Sequence, residues 1–180
     1  MSKKIETVLG TLFFAVFINV LGYQYLFSDI EIPERTNVIE LPVPASLYTG
    51  DDMDVDETEL NCLAQNIYHE ARGQSEKGQI AVALVTMNRV NHVNFPNSIC
   101  EVVFQPYQFS WTHQNMIIDY ANNIERKAWE KSLQIALAVM LGDVYNNMYG
   151  ITHYHATSVN PNWGYSLVMQ IDDHKFFVTN

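Results

Sequence analysis

Residues 67–74 read IYHEARGQ, and the way they continue the pattern before them decides the fold. Counting back to Leu60, the apolar residues Leu60, Leu63, Ala64, Ile67, Tyr68 and Ala71 recur at three- and four-residue intervals. That spacing predicts an amphipathic helix, halted at Gly73. Glu70 falls in its last turn, about 80° from the centre of the apolar stripe and beside Leu63 and Ile67. A carboxyl there stands at the rim of the buried face. Partial desolvation raises its pKa and lets it hold a proton near neutrality, as a general acid must. Arg72, two residues on, points elsewhere around the helix and need not hold Glu70 as an anion. The plainer reading of the same pattern is a surface glutamate near a helix end.

Outward from this helix, residues 78–90 (GQIAVALVTMNRV) are apolar nearly all round and long enough for a buried helix. Ser98-Ile-Cys-Glu101 has the form of a capping box opening a short helix. Ile124, Ala128, Trp129, Leu133, Ala136, Leu137 and Met140 describe another amphipathic helix, stopped by Gly142. Beyond it the period changes to 2. Residues 152–156 and 175–179 read as short strands, with Pro161-Asn162 and Asp172-Asp173 as turns. The expected fold over 60–180 is therefore α+β, mainly helical with a small β element near its end.

Toward the N-terminus, residues 8–27 (VLGTLFFAVFINVLGYQYLF) are mostly apolar. As a helix they reach about 30 Å, enough to span a bilayer. Lys3 and Lys4 precede the run and acids follow it, so the positive-inside rule keeps the N-terminus in the cytoplasm and exports the rest. A cleaved signal peptide is the rival, with 8–21 as its apolar core, but no small-x-small site follows closely. An uncleaved transmembrane anchor over 1–27 is the expectation, with the domain in the periplasm or otherwise outside the cytoplasm. Residues 28–59 contain Pro33, Pro42 and Pro44, end in DDMDVDETE and keep no period, so they read as a flexible acidic tether.

Charge follows this division. The 180 residues carry a formal net charge of −10. Residues 29–59 hold ten of the twenty acids and one base, whereas 60–180 set nine acids against seven bases. No basic stripe exists, which argues against nucleic acid as a partner.

His69-Glu70 begins a zinc-protease HExxH pattern, but position 73 is glycine and that reading fails. His153 and His155 share one face of a candidate strand, and His174 lies on its neighbour. Three imidazoles can bind zinc, or they can line a polar cleft as hydrogen-bonding groups. Cys100, Ser98 and Ser110 carry no nucleophile signature. Glu76 and Glu101 offer a second carboxylate, though nothing in the spacing selects either. Residues 104–111 (FQPYQFSW) and 151–165 (ITHYHATSVNPNWGY) mix aromatic rings with amide, hydroxyl and imidazole groups. Such mixtures suit sugars and equally an ordinary core edge. Cys62 and Cys100 are either two buried free thiols or, in an exported domain, one bridge.

Four blocks in order, CLAQNIYHEARGQSEKGQIAVALVTMNRV, FPNSICEVVFQPYQFSWT, THYHATSVNPNW and DHKFF, resemble the cell wall hydrolase family of the spore cortex-lytic SleB type. The resemblance runs over residues 60–178. It implies a lysozyme-like α+β catalytic domain acting on the glycan strands of peptidoglycan, as a lytic transglycosylase or, more loosely, a muramidase, with no cofactor or metal. It maps the family's catalytic glutamate, in Tyr-x-Glu-Ala-Arg-Gly, onto Glu70. Substrate contacts are then expected from Tyr68, Gln108, Phe109, Ser110, His153, Tyr154, His155, Trp163 and His174. Two alternatives stand beside it: a metal-dependent amidase or peptidase built on the three histidines, and a non-catalytic wall-binding module.

Departures from the family pattern are specific. Gln74 stands where members commonly have Glu, and Asp172-Asp173-His174 where they often have Gly before Asn-His. Tyr107 and His113 occupy places where many members carry further cysteines, so the resemblance leaves Cys62 and Cys100 as the pair to form a disulfide.

Overall fold

The computed structural model describes residues 55–114 and 117–179. The expected anchor over 8–27 and the 28–59 tether as far as residue 54 lie outside the described residues; the last residues assigned to the tether, Glu57, Thr58 and Glu59, are instead the first turn of a helix that Asp56 caps. Among those described, no helix is long and apolar enough to cross a membrane. The elements are α1 (Glu57–Ala71), α2 (Glu76–Val90), α3 (Ile99–Val103), a 3-10 turn (Ser110–His113), α4 (Asn123–Met140), β1 (His153–Ala156), β2 (Ser166–Ile171) and β3 (His174–Val178).

α1 is the central helix, packed against α2, α3 and α4. Its start is set by Asp56, whose carboxylate accepts from the amides of Thr58 and Glu59. Glu57 and Glu59 add negative charge in the first turn, where the helix dipole favours it. Leu60, Leu63, Ala64 and Ile67 are fully buried, as their spacing predicts. α4 brings Trp129, Leu133 and Ala136 into the same core and ends at Gly142, whose φ of +76° suits a glycine. Ile124, assigned to the apolar face of α4 from the sequence, is instead 76% exposed in its first turn. One turn of a helix end can face solvent without cost to the rest of the stripe.

α3 is fastened to α1 twice. Cys62 and Cys100 form a disulfide, which decides between the two readings of these cysteines. The Glu59 carboxylate also accepts from the Ile99 amide at the start of α3. Ser98 caps that helix, its hydroxyl accepting from the Glu101 amide at 3.3 Å.

The sheet has the order β1-β3-β2, antiparallel throughout. β3 lies in the middle, and β2, for which the sequence pattern marks no strand, forms an edge. Tyr154 pairs with Phe176 and Ala156 with His174, so these four share one face. His153, His155, Lys175 and Phe177 share the other. The β2–β3 turn is tight, with Asp172 at φ 47°, and the Asp172 carboxylate docks on the start of α2. There it accepts from the Ser75 amide at 2.9 Å and the Ser75 hydroxyl at 2.6 Å.

Candidate active site

Glu70 stands at the inner rim of α1, where β1 and the end of α2 approach it. Four helical residues earlier on the same face is Asn66, fully buried. Its amide donates to Thr86 of α2 at 3.1 Å and also bonds the Tyr154 hydroxyl. Tyr154 in turn donates to the Glu70 carboxyl at 3.3 Å. Burial pushes the Glu70 pKa up from 4.5, against the Tyr154 hydrogen bond and the Arg89 charge, which pull it down. The net direction is upward.

Arg89, three residues beyond Thr86 on α2, is only 5% exposed. Its Nε donates to the Thr152 carbonyl at 2.7 Å, and its guanidinium lies 5.3 Å from the Phe95 ring centre and 5.5 Å from that of Phe109. Desolvation lowers its pKa, opposed by Tyr154 and Glu70. The sequence reading missed Arg89, Asn66 and Thr86. The available signal was polar side chains on helix faces that had to be buried.

Arg72 does turn away from Glu70, as expected from its spacing. It lies 3.6 Å from Glu125 and stacks over Tyr68 at 4.7 Å. Tyr68 also faces α4. Its ring meets Trp129 and its hydroxyl donates to Glu125, an arrangement that with burial raises its pKa to about 12. Expected as a substrate contact, Tyr68 is instead a core residue between α1 and α4, because two residues along a helix turn a side chain through more than half its circumference. His69 stacks on Trp111 with ring centres 4.4 Å apart, and burial lowers its pKa to about 4.

The remaining expected contacts divide into two groups. Phe109 is 4% exposed and packs against Arg89 and Tyr154, so it supports the site from below rather than presenting a face. Gln108 and Ser110 flank it and are exposed. On the other face of β1, His153 lies 4.5 Å from Tyr165, and Trp163 sits within ring contact of His153, His155 and Phe177. Trp163 and Tyr165 are partly open, at 39% and 36%. This aromatic shelf joins the Glu70 site through Phe95, which touches both His153 and Arg89.

His174 is 6% exposed and belongs to the opposite face, against Tyr154. Burial lowers its pKa, against the pull of Asp173 and Asp172. It is neither a surface contact nor a partner for His153 and His155. The three-imidazole zinc alternative is therefore not assembled, since a strand sends adjacent side chains to opposite faces.

Neither proposed second carboxylate reaches Glu70. Glu76 pairs with Lys131 at 3.4 Å on the rim of a groove of about 550 Å³ between α2 and α4, which Glu70 does not line. Glu101 is exposed on α3, beside the opposite end of α1.

The two departures at Gln74 and Asp172-Asp173 meet in space. Gln74 donates to the Asp173 carboxylate at 3.4 Å and accepts from the Asp173 amide at 3.3 Å. A glutamate at 74 would face that carboxylate with like charge. Gln74 thus acts on the β2–β3 turn, not on Glu70.

The domain is mainly helical with a three-stranded antiparallel sheet and holds one desolvated carboxyl on its central helix. The chain belongs to the Cell Wall Hydrolase family, whose model matches residues 73–177. It is 40% identical over 70 residues to the spore cortex-lytic enzyme of Bacillus subtilis, covering 39% of this chain and 23% of that protein. With the enzyme of the same name from Bacillus cereus it shares 35% over 72 residues, 40% of this chain and 28% of the other. These matches thus span about a quarter of each relative's length.

Among solved structures, the catalytic domain of Bacillus cereus SleB aligns with a TM-score of 0.52 at 22% identity, covering 77% of this chain and 96% of that one. The catalytic domain of the germination-specific lytic transglycosylase SleB from Bacillus anthracis aligns at 0.53 with 24% identity, covering 69% and 97%. At these identities the likeness establishes the fold. The family match begins at Gly73, so Glu70 lies just before it.

Proposed function

We propose that this domain cleaves the glycosidic bond between N-acetylmuramic acid and N-acetylglucosamine in peptidoglycan, as a lytic transglycosylase with Glu70 as its acid and base. The observation that carries the reading is Glu70 itself, a carboxyl raised in pKa by burial yet held by a donating tyrosine. Such a group holds its proton more tightly than a solvated carboxyl and, once ionised, keeps a hydrogen-bond donor until it takes one back. Glu70 first protonates the glycosidic oxygen as the C–O bond breaks. The resulting carboxylate then removes the proton from the muramyl 6-hydroxyl as that oxygen closes on C1. One carboxyl serves both steps, which suits a site where neither Glu76 nor Glu101 approaches.

Family membership supports the wall as substrate. The Bacillus anthracis neighbour, a germination-specific lytic transglycosylase, supports the chemistry. The shelf of His153, His155 and Trp163, and the exposed Gln108 and Ser110 on the loop that carries Phe109, supply rings and donors suited to sugars. Export is part of the same proposal: the Cys62–Cys100 disulfide suits an oxidising compartment outside the cytoplasm.

Mass spectrometry of digested peptidoglycan tests the chemistry. Muropeptides ending in anhydro-muramic acid are expected, one water lighter than hydrolysed ones; reducing muramic ends alone would replace the transglycosylase with a hydrolase. Glu70→Gln keeps the shape of the side chain but cannot transfer a proton, so turbidity clearance of purified walls should slow by roughly 10²–10⁴. Near-normal clearance by this variant would remove Glu70 from the mechanism.

A further inference from the structure

One charged group beside Glu70 has no part in the mechanism so far. Arg89 is buried, its Nε is spent on the Thr152 carbonyl, and two aromatic rings fix the plane of its guanidinium. Its Nη1 is also buried and has no hydrogen-bond partner among the described residues. A buried guanidinium with an unused donor is costly unless some state of the protein uses it.

We infer that Arg89 is a positioning residue whose unused guanidinium N–H receives the Glu70 carboxylate after the acid has given up its proton. The inference rests on the reading of Glu70 as acid and base. While Glu70 is protonated, Tyr154 alone holds it and Nη1 stays unmatched. When the proton passes to the glycosidic oxygen, the site gains a negative charge in a poorly solvated place. Tyr154 can donate one hydrogen bond to that charge, and its hydroxyl is already committed between Asn66 and Glu70. The fixed cation on α2 supplies the rest. It restrains the carboxylate until the 6-hydroxyl proton arrives, and the original state returns with no net change in charge.

The other groups near the pair do not duplicate this. Tyr154 on β1 is neutral, with its ionisation pushed well up by burial. His153 shares the Phe95 ring with Arg89, and burial lowers its pKa, with Arg89 and His92 acting in the same direction. On α1 itself, His69 stacks on Trp111 and Arg72 pairs with Glu125. Phe109, from the loop, is apolar.

The test uses the folded domain and reads Glu70 ionisation apart from activity. In the wild type, the Arg89 side-chain ¹⁵N resonances should titrate with the same midpoint as the Glu70 carboxyl ¹³C, and in Glu70→Gln that titration should vanish. Arg89→Met should move the Glu70 midpoint upward, while Arg89→Lys, which keeps a cation, should move it less. With soluble glycan fragments, kcat of Arg89→Met should fall by roughly tenfold or more with KM little changed, the size of one pKa unit of lost charge stabilisation. Arg89 resonances that ignore Glu70 ionisation in the wild type would overturn the inference, whether or not Arg89→Met folds. An active Glu70→Gln would instead overturn the acid assignment, with the titration still reporting whether the pair is coupled.

Discussion

At the scale of single residues, the raised pKa of Glu70 has a cost that can be measured. A carboxyl whose pKa rises on folding binds its proton more tightly in the folded state, so it favours folding at low pH. That contribution fades as pH rises from the ordinary value of 4.5 through the folded one. Above that window the buried anion works against the fold. Glu70→Gln should therefore match the wild type in melting temperature near pH 4 and exceed it at pH 7. A variant less stable than wild type at pH 7 would mean that the site favours the anion. The position of Glu70 at the rim of α1 was legible, because helical periodicity fixes where each side chain points. Arg89 was not. Its helix is apolar nearly all round, and a base in the last turn is also what the helix dipole favours, so its burial could be seen only once β1 was in place.

At the scale of elements, the contact between the β2–β3 turn and the start of α2 makes a prediction against ordinary helix propensity. Replacing a helical glycine with alanine usually stabilises by about 1 kcal/mol. At Gly78, an added Cβ would stand 2.5 Å from the Asp172 carboxylate and 3.0 Å from Gln74. Gly78→Ala should therefore lower the melting temperature, by displacing Asp172 from Ser75; a rise would show that the turn yields freely.

The disulfide closes a loop between cysteines 38 positions apart, worth about 3–4 kcal/mol by chain entropy. The paired Cys62→Ser, Cys100→Ser variant should lose about that much in urea unfolding, and unreduced wild type should take up no thiol label after denaturation. The helices were legible because each has a stripe or a cap. β2 was not, since Leu167 and Val168 are both exposed on an edge strand broken by a bulge, and no alternation survives there. The failure of His174 to join the other histidines has a similar origin: strand register, which sets its face, depends on a partner strand.

At the scale of the whole molecule, the sequence before residue 55 proposes a membrane anchor and a tether, and this is tested on the full-length chain. Fractionation with mass measurement should find the intact protein in the membrane fraction. A soluble product beginning after residue 22 would replace the anchor with a cleaved signal. If the anchor holds, a domain engaged on the wall is pulled from its N-terminal side, and the fold meets that load at one point. Force entering at Glu57 can peel only the first turn or so of α1 before it arrives at Cys62. There the covalent link to Cys100 hands the tension to α3, and Glu59 on the start of α3 resists the peeling from the first residues onward. Glu70, two turns beyond the link, lies past the point where the strain is shared out. The fastening of α1 to α3 thus acts as a strain relief, leaving the end of the helix that carries the acid unloaded while the other end is drawn taut.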